Sequence, residues 1–269
     1  MEEMAFMGKE SSFETAKCVV VPLAYSSVGY TRGTLDAPSA ILSAWKMEDF
    51  DLETGYSPAE EGVYVMPETE ISSVSEVKEK TKQAVSSGKF PIFLGGDHSV
   101  TIGTTAAYEN ISVLIFDAHA DLREEYGDSR ESHACVTKRV SEMHPTLQIG
   151  IRSVGSEEIE EVKKHEAYNK VGPSEMNRII DKLGRNVYIS IDVDALDPSI
   201  MPATALPEPE GLSWNEILMI LKRTFERKNV VGCDVCELSP VSGLEAPNAL
   251  CAHLAYKLIA YKFASGNEK

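Results

Sequence analysis

Three apolar runs that each end in metal-binding residue types are the feature that most constrains the fold of this chain. The runs are PIFLGGDHS, ISVLIFDAHAD and VYISIDVDALDP. Continuous apolar stretches of this kind are typical of strands buried on both faces of a parallel sheet. Open α/β sheets place their ligand crevice at the carboxyl ends of the strands, so we expect the three clusters to meet there. The candidate metal ligands are His98, Asp117, His119, Asp121, Asp192 and Asp194.

The local geometry supports a shared site. Side chains two residues apart lie on one face of a strand, so Asp117, His119 and Asp121 would point the same way if the strand continued through them. In the first run, Gly95 and Gly96 allow a sharp turn into the following helix. In the third run we expect the strand to stop at Asp197 and Pro198, because proline lacks an amide donor and restricts the residue before it.

The ligand types indicate a hard cation. This many carboxylates and imidazoles at strand ends require a compensating positive charge. No cysteine lies within the clusters, and four carboxylates with two imidazoles suit an octahedral-leaning ion such as Mn²⁺ better than a closed tetrahedral zinc site. Zn²⁺, Co²⁺, Ni²⁺ and Fe²⁺ stay open as alternatives. Any one motif also fits a solvated strand end or a helix cap, but three together favour a binuclear metal hydrolase.

Alternating strand-like and helix-like segments predict an α/β fold. The strand-like runs cover residues 18–24, 62–66, 91–94, 111–119, 147–152, 187–196 and 230–238, and helical patterns cover 73–86, 213–228 and 246–263. Such alternation is typical of a parallel sheet covered on both faces. The chain has 269 residues with no Pro/Ser-rich linker or repeat, so we expect one domain over residues 1–269.

Charge and segment composition restrict the partners. The formal net charge is -16, from 42 acidic and 26 basic residues, which disfavours nucleic acid or an anionic membrane and modestly favours a cationic substrate. The acidic segment EEIEEVKKHE is interpreted as an exposed helix. No secretory signal is visible and the apolar ILMIL stretch is too short to span a bilayer, so the expected location is the cytoplasm.

The five cysteines do not form a disulfide framework, because their number is odd. Cys233 and Cys236 form a CxxC pair, for which redox chemistry or zinc binding is an alternative. On a strand, however, residues three apart point to opposite faces, and this favours two buried thiols. Cys135 lies near the proposed site, and the sequence leaves its role open.

The motifs GGDHS, DAHAD, SIDVDALDP and CELSP together resemble the ureohydrolase family of arginases and agmatinases. The resemblance runs from GYTRGTLDAPSAI near Gly29 to the last helix near Ala260. It implies a three-layer α/β fold with a mostly parallel central sheet. It also implies two Mn²⁺ ions, hydrolysis of a guanidino group to urea, and a homotrimer or homohexamer.

The resemblance also implies roles for individual residues. The six candidate ligands would divide into two metal shells around a bridging hydroxide, with the metals about 3.5 to 4 Å apart. Asp121 would carry the proton from the hydroxide toward the departing amine. His133, in SHACV, would bind substrate and shuttle a proton, although a hydrogen-bonded histidine near a helix start is the alternative. Glu237 would bind the guanidinium group, and Asp234 would support a ligand or be a buried strand residue.

The loop after DAHAD indicates the substrate. LREEYGDSRES lacks the neutral polar pattern with which arginases receive an α-amino acid. Its four acids outnumber Arg123 and Arg130 and favour a substrate that ends in an amine. The prediction is therefore a small cationic guanidino compound, agmatine, converted to urea and putrescine in polyamine biosynthesis. Arginine, guanidinobutyrate and a formimino substrate stay open, since either arginine could pair with a carboxylate. A zinc amidase and a non-catalytic metal-binding protein are less favoured.

Overall fold

The computed structural model describes residues 11–27, 29–46 and 50–264, and the predicted domain of residues 1–269 therefore extends beyond them. Within this part of the chain, eight strands form one sheet in which every pairing is parallel. The strands are β1 (Cys18–Leu23), β2 (Val63–Val65), β3 (Phe90–Gly95), β4 (Ser112–Phe116), β5 (Thr146–Ile149), β6 (Glu166–Tyr168), β7 (Asn186–Asp192) and β8 (Asn229–Cys236). Their order across the sheet is β2-β1-β3-β8-β7-β4-β5-β6.

Helices cover both faces of this sheet. They are α1 (Ala37–Ala44), α2 (Val74–Ser86), α3 (Val100–Thr105), α4 (Val136–Met143), α5 (Ile159–Val162), α6 (Pro173–Ile180), α7 (Trp214–Arg227) and α8 (Ala246–Ala264). Successive residues of a strand contribute to different apolar cores: Leu114 and Phe116 of β4 pack in one, and Val113 and Ile115 in the other. Because the sheet is buried on both faces, its strands are continuous apolar runs. The three-layer α/β prediction is confirmed.

Two of the three predicted helices begin where their sequences supply caps. Ser73 accepts a hydrogen bond from the Glu76 amide before α2, and Ser213 forms a reciprocal capping box with Glu216 before α7. Each cap satisfies amide groups that a helix start otherwise leaves without partners. The first motif of the family resemblance forms a 3-10 segment over Gly29–Asp36 that leads into α1.

Most of the predicted strands end earlier than their apolar patterns indicated, whereas β3 extends one residue further, to Gly95. β4 stops at Phe116 instead of residue 119, β7 at Asp192 instead of residue 196, and β8 at Cys236 instead of residue 238. The expected stop at Pro198 was therefore too late. The physical reason is local, because the Asp192 carboxylate accepts a hydrogen bond from the Asp194 amide at 2.8 Å and closes a turn. The ligand motifs therefore lie in loops at the carboxyl edge of the sheet.

Other features match or extend the sequence interpretation. Cys233 and Cys236 are free, buried and packed in opposite cores, as the spacing on a strand predicted. β6 is a short edge strand that the sequence pattern did not reveal, and it begins inside the acidic segment interpreted as helix. None of the helices in the described ranges has the length and apolar content that a bilayer crossing requires.

Candidate active site

His98 reaches the site through a tight turn after β3. A side chain at Gly96 would place its Cβ 2.1 Å from the carbonyl oxygen of Tyr25, so only glycine fits there. The next residue, Asp97, is buried and accepts a hydrogen bond from the Ser27 amide at 2.6 Å. These contacts hold the turn against the loop that follows β1. As a result, the His98 ring lies over the carboxyl ends of the central strands.

The first cluster of metal-type atoms surrounds one nitrogen of His98. Its Nδ1 lies 3.1 Å from Asp117 Oδ2, 3.3 Å from Asp121 Oδ2 and 3.5 Å from Asp192 Oδ2. Among the described residues, His98 Nδ1 and Asp117 Oδ2 are buried without a hydrogen-bond partner. Buried polar atoms are almost always satisfied. Convergence of such atoms on one point is the arrangement expected of ligands that face a cation.

A second cluster adjoins the first and shares Asp117 with it. His119 Nδ1 lies 2.8 Å from Asp194 Oδ2 and 3.8 Å from Asp117 Oδ1. The two oxygens of Asp117 therefore face different clusters. The shared direction expected of Asp117, His119 and Asp121 required the strand to continue through them, but β4 ends at Phe116 and Asp121 adopts a left-handed conformation with φ of 52°. The bend turns its carboxylate toward His98 instead of His119.

The electrostatics of these clusters fit a bound cation. Burial, together with the charges of Asp121 and Asp194, raises the pKa of Asp117 to about 8. Burial and the neighbouring aspartates also raise the pKa of Asp192 well above its usual range. Burial alone would lower the pKa of His98, but the adjacent carboxylates raise it. Such carboxylates repel one another unless positive charge compensates them, and a set of oxygen and imidazole ligands suits a divalent ion.

A buried hydrogen-bond chain behind His98 fixes its orientation. His98 Nε2 lies 3.0 Å from Ser190 Oγ, and that hydroxyl donates to Asp234 Oδ1 at 2.7 Å. Ser190 Oγ is then the acceptor for Nε2–H, which leaves the Nδ1 lone pair toward the cluster. Further donors to the Asp234 carboxylate are the hydroxyls of Thr101, Thr104 and Tyr188. The geometry agrees with the interpretation of Asp234 as support for a ligand.

Glu237 directly follows β8 and contacts the backbone beside His98. Its φ of 67° turns the chain sharply, and its amide donates to the Gly96 carbonyl at 2.9 Å. The carboxylate Oε1 accepts from the His98 amide at 2.7 Å. Burial and the nearby charge of Asp97 raise the pKa of Glu237 well above its usual range. Such a carboxylate gains from a cationic partner.

His133 lies at the mouth of the site, at the first residue of a 3-10 turn. Its ring packs edge-on against Tyr126, with centroids 5.6 Å apart. Its Nδ1 is buried and has no hydrogen-bond partner within the described ranges. The alternative interpretation, a histidine held by a hydrogen bond near a helix start, therefore finds no such bond at Nδ1. His133 itself is among the residues that line the cavity described below.

One cavity of about 90 Å³ joins these residues. All the sequence-predicted site residues line it except Asp117, which is buried behind them. The residues that sequence reasoning had not assigned to the site, but that also line it, are Tyr126, Ala134, Ser153, Gly155, Glu158, Thr204, Ala205 and Leu206. Arg123, named in the sequence only as a charge of the loop, lines it as well. The acids Glu124, Glu125, Asp128 and Glu131 are not among the lining residues.

Glu158 and Arg152 are the notable residues that the sequence did not reveal. Glu158 is 3% exposed, so the interpretation of its segment as an exposed helix was wrong at this position. Arg152 donates to backbone carbonyls of Asp194 at 2.8 Å and Glu208 at 2.8 Å. It thereby links the loop after β7 to the segment that follows β5. The one available signal was that both residues follow a strand end in GIRSVGSEE, as the ligands do.

The three-layer α/β fold and the carboxylate–histidine cluster at the carboxyl edge of its sheet define a protein of the metal-dependent hydrolase type. Residues 16–261 match the Arginase family model. The chain belongs to the arginase family and is a ureohydrolase, a hydrolase of amidino C–N bonds.

Relatives and solved structures agree with this assignment. The N(1)-aminopropylagmatine ureohydrolase of Synechocystis sp. is 34% identical, with 96% of this chain and 93% of the relative covered. The enzyme of the same name from Thermus thermophilus is 35% identical, with 96% and 94% covered. Among solved structures, the agmatine ureohydrolase of Thermoplasma volcanium superposes with a TM-score of 0.87 at 32% identity, covering 96% of this chain and 94% of that one.

Proposed function

We propose that this ureohydrolase cleaves a guanidino group attached to an amine-bearing chain, with agmatine as substrate and urea and putrescine as products. The observation that carries the proposal is the shared position of Asp117 between two clusters, beside a cavity that Glu237 and His133 also line. Two adjacent cation positions and a carboxylate outside them are what hydrolysis of a guanidinium group requires.

Two divalent ions, proposed to be Mn²⁺, would be held by the six predicted ligands. His98, Asp121 and Asp192 surround one position, His119 and Asp194 the other, and Asp117 lies between them. When bound, such ions lower the pKa of water toward about 7 and so supply a nucleophile at neutral pH. The fit rests on the unpartnered atoms and on the raised carboxyl pKa values described above.

The chain's own side chains would bind the substrate and move protons. Glu237, held by the His98 amide, would accept two parallel N–H bonds from the guanidinium group and orient its central carbon. Asp121 would take a proton from the nucleophile and deliver it toward the departing nitrogen. His133, which lines the cavity, would protonate the leaving amine.

The loop arginines favour an amine over a carboxylate at the far end of the substrate. Arg123 Nε pairs with Glu157 Oε1 at 2.6 Å, and Arg130 pairs with Glu124. Both cations considered as carboxylate receptors already have acidic partners. Arginine and guanidinobutyrate are therefore less favoured than agmatine.

A second candidate substrate is N(1)-aminopropylagmatine, which carries an additional amine. It is favoured by the names of two relatives that cover 96% of this chain, whereas the agmatinase of Pyrococcus horikoshii covers 77%. The chemistry at the guanidino group would be the same. The two substrates differ only in what the outer part of the cavity must accommodate.

Urea release by the Mn²⁺-reconstituted protein tests the proposal. Agmatine, N(1)-aminopropylagmatine, arginine and 4-guanidinobutyrate are offered in parallel, with a chelator-treated sample as control. We expect urea from an amine-ended substrate and none after chelation. Preference for arginine or 4-guanidinobutyrate would contradict the substrate proposal, and absence of urea from all four would contradict the proposed reaction.

We also propose that the chain acts in the cytoplasm as a single-domain homotrimer or homohexamer, without nucleic acid or membrane. The support is the family resemblance and the net charge of -16. Light scattering coupled to size-exclusion chromatography measures the subunit number. A monomer at micromolar concentration would contradict this assembly.

A further inference from the structure

We propose that Arg123, Glu157 and Glu158, called here the rim triad, read the charge at the far end of the substrate and select a primary ammonium group. The inference rests on the proposed function and deepens it. It assigns to specific side chains the selection that the sequence had attributed to the acidic loop as a whole.

The rim triad adjoins the same cavity as the metal-type residues. Arg123 follows the DAHAD motif and Glu158 follows β5, and both line the cavity wall. Gly155 lies between them. A Cβ at this position would be 2.7 Å from Arg123 Nη2 and 2.8 Å from Glu158 Oε2. A larger residue would therefore push the guanidinium group and the carboxylate out of their present positions.

The charges of the rim triad sum to one negative charge. Arg123 Nε contacts Glu157 Oε1 at 2.6 Å, and Arg123 Nη2 lies 3.8 Å from Glu158 Oε2. The guanidinium group also lies over the Tyr126 ring, 5.3 Å from its centroid. A substrate carboxylate would meet this excess negative charge and be repelled by it. An ammonium group would meet the excess negative charge without displacing any partner.

Glu158 is the member suited to receive the ammonium group. Its Oε1 accepts from the Leu122 amide and its Oε2 from the Gly155 amide, each at 2.7 Å. These bonds fix a buried carboxylate at the cavity wall, and each oxygen keeps a second lone pair. By contrast, Glu124 of the loop is exposed and engaged by Arg130 and Arg139. A carboxylate that is already held in place loses little conformational entropy when it binds a cation.

Two opposite changes of the triad charge test the inference. Glu157→Gln removes one negative charge and frees Arg123, and Arg123→Gln removes the positive charge. The readout is the dissociation constant of putrescine relative to that of 4-aminobutyrate, measured by calorimetry on the metal-loaded protein. The two probes share one ammonium end and differ in the charge of the other. The KM for agmatine is measured beside them.

We expect Glu157→Gln to lower the preference for putrescine on the order of tenfold, and Arg123→Gln to raise it by a similar factor. The KM for agmatine should change while kcat stays close to that of the wild type, because the contact is the same in ground and transition states. Glu160→Gln is the matched control. It also removes one negative charge from the same segment, but Glu160 pairs with Lys163 at 2.6 Å and does not line the cavity.

Unchanged preference in both variants, or changes in the same direction, would overturn the rim triad inference. Agmatine hydrolysis by the wild type would then leave the proposed function intact. A wild type that releases no urea would overturn the proposed function. In that case the ratio of the putrescine and 4-aminobutyrate dissociation constants would still test the rim triad, because binding requires no turnover.

Discussion

Replacing Ser190 by alanine would test whether the hydrogen-bond chain behind His98 sets the metal affinity of the site. The substitution removes the hydroxyl that lies 3.0 Å from His98 Nε2 and 2.7 Å from Asp234 Oδ1. His98 would then have a buried N–H without its acceptor, and its ring could rotate or change tautomer. Asp234 would keep its hydroxyl donors from the threonines and Tyr188.

The expected loss follows from what the bond provides. Removing a partner that orients a metal-ligating histidine typically costs about 10- to 100-fold in metal affinity. That range corresponds to about 1.4 to 2.7 kcal/mol. A buried donor left unsatisfied also costs about 1 to 3 kcal/mol of folding stability. Both the metal affinity and the folding stability would decrease even though Ser190→Ala keeps all six proposed metal ligands.

Calorimetric titration of Mn²⁺ into the metal-free protein measures the affinity directly, and thermal unfolding reports stability. Ser199→Ala is the control, because it removes an exposed serine that donates to Asp197 at 2.5 Å. Folded Ser190→Ala with Mn²⁺ affinity within twofold of the wild type would refute the reasoning. His98 would then be oriented by packing alone.

Other predictions concern substrate binding, proton delivery, loop support and pH. Glu237→Gln should retain Mn²⁺ binding but lose about 100-fold in kcat/KM by urea assay, because the guanidinium group loses its anion; unchanged kinetics would reject the role. His133→Asn should lower kcat by about 100-fold or more without weakening Mn²⁺ binding, and a normal kcat would contradict proton delivery. Arg152→Lys should weaken Mn²⁺ binding measured by calorimetry, because a lysine ammonium group cannot bond several backbone carbonyls, among them that of Asp194, as the guanidinium group does. Equal Mn²⁺ affinity would contradict this supporting role of Arg152. Burial lowers the pKa of His144 below 6.5, so the unfolded state binds more protons and its contribution to stability is lost as pH falls below about 6.5. His144→Gln should reduce the pH dependence of the unfolding free energy between pH 7 and 5, as measured by denaturant titrations. An unchanged pH dependence would show that His144 is not its source.

The strand-end ligands were predictable because burial on both faces makes a parallel strand a continuous apolar run. Polar residues at the end of such a run, like Asp117 and Asp192, therefore stand out in the sequence. The turns that follow were not predictable. Asp121 and Glu237 adopt left-handed conformations that non-glycine residues avoid, and only tertiary contacts hold them. The ligand identities were therefore visible in the sequence, but their division into two clusters was not.

Glu158 and β6 were missed for a related reason. The β6 sequence EAY is short, lies at the sheet edge and has no apolar run. Glu158 belongs to a charged segment whose composition is that of a solvated helix. Its burial depends on amides of Leu122 and Gly155 from other parts of the chain. Composition cannot report such partners, because they become neighbours only in the folded protein.

The order of the strands has a consequence for how the protein is made. β3 and β4, which carry His98 and Asp117, are consecutive in the chain, yet β8 and β7 separate them in the sheet. The emerging chain therefore exposes both strands with their inner edges unpaired until residues 186–236 have been synthesised. The two halves of the site can be joined only at that late stage. Premature termination before β7 would leave a fragment with two unpaired, aggregation-prone strand edges and an incomplete metal centre.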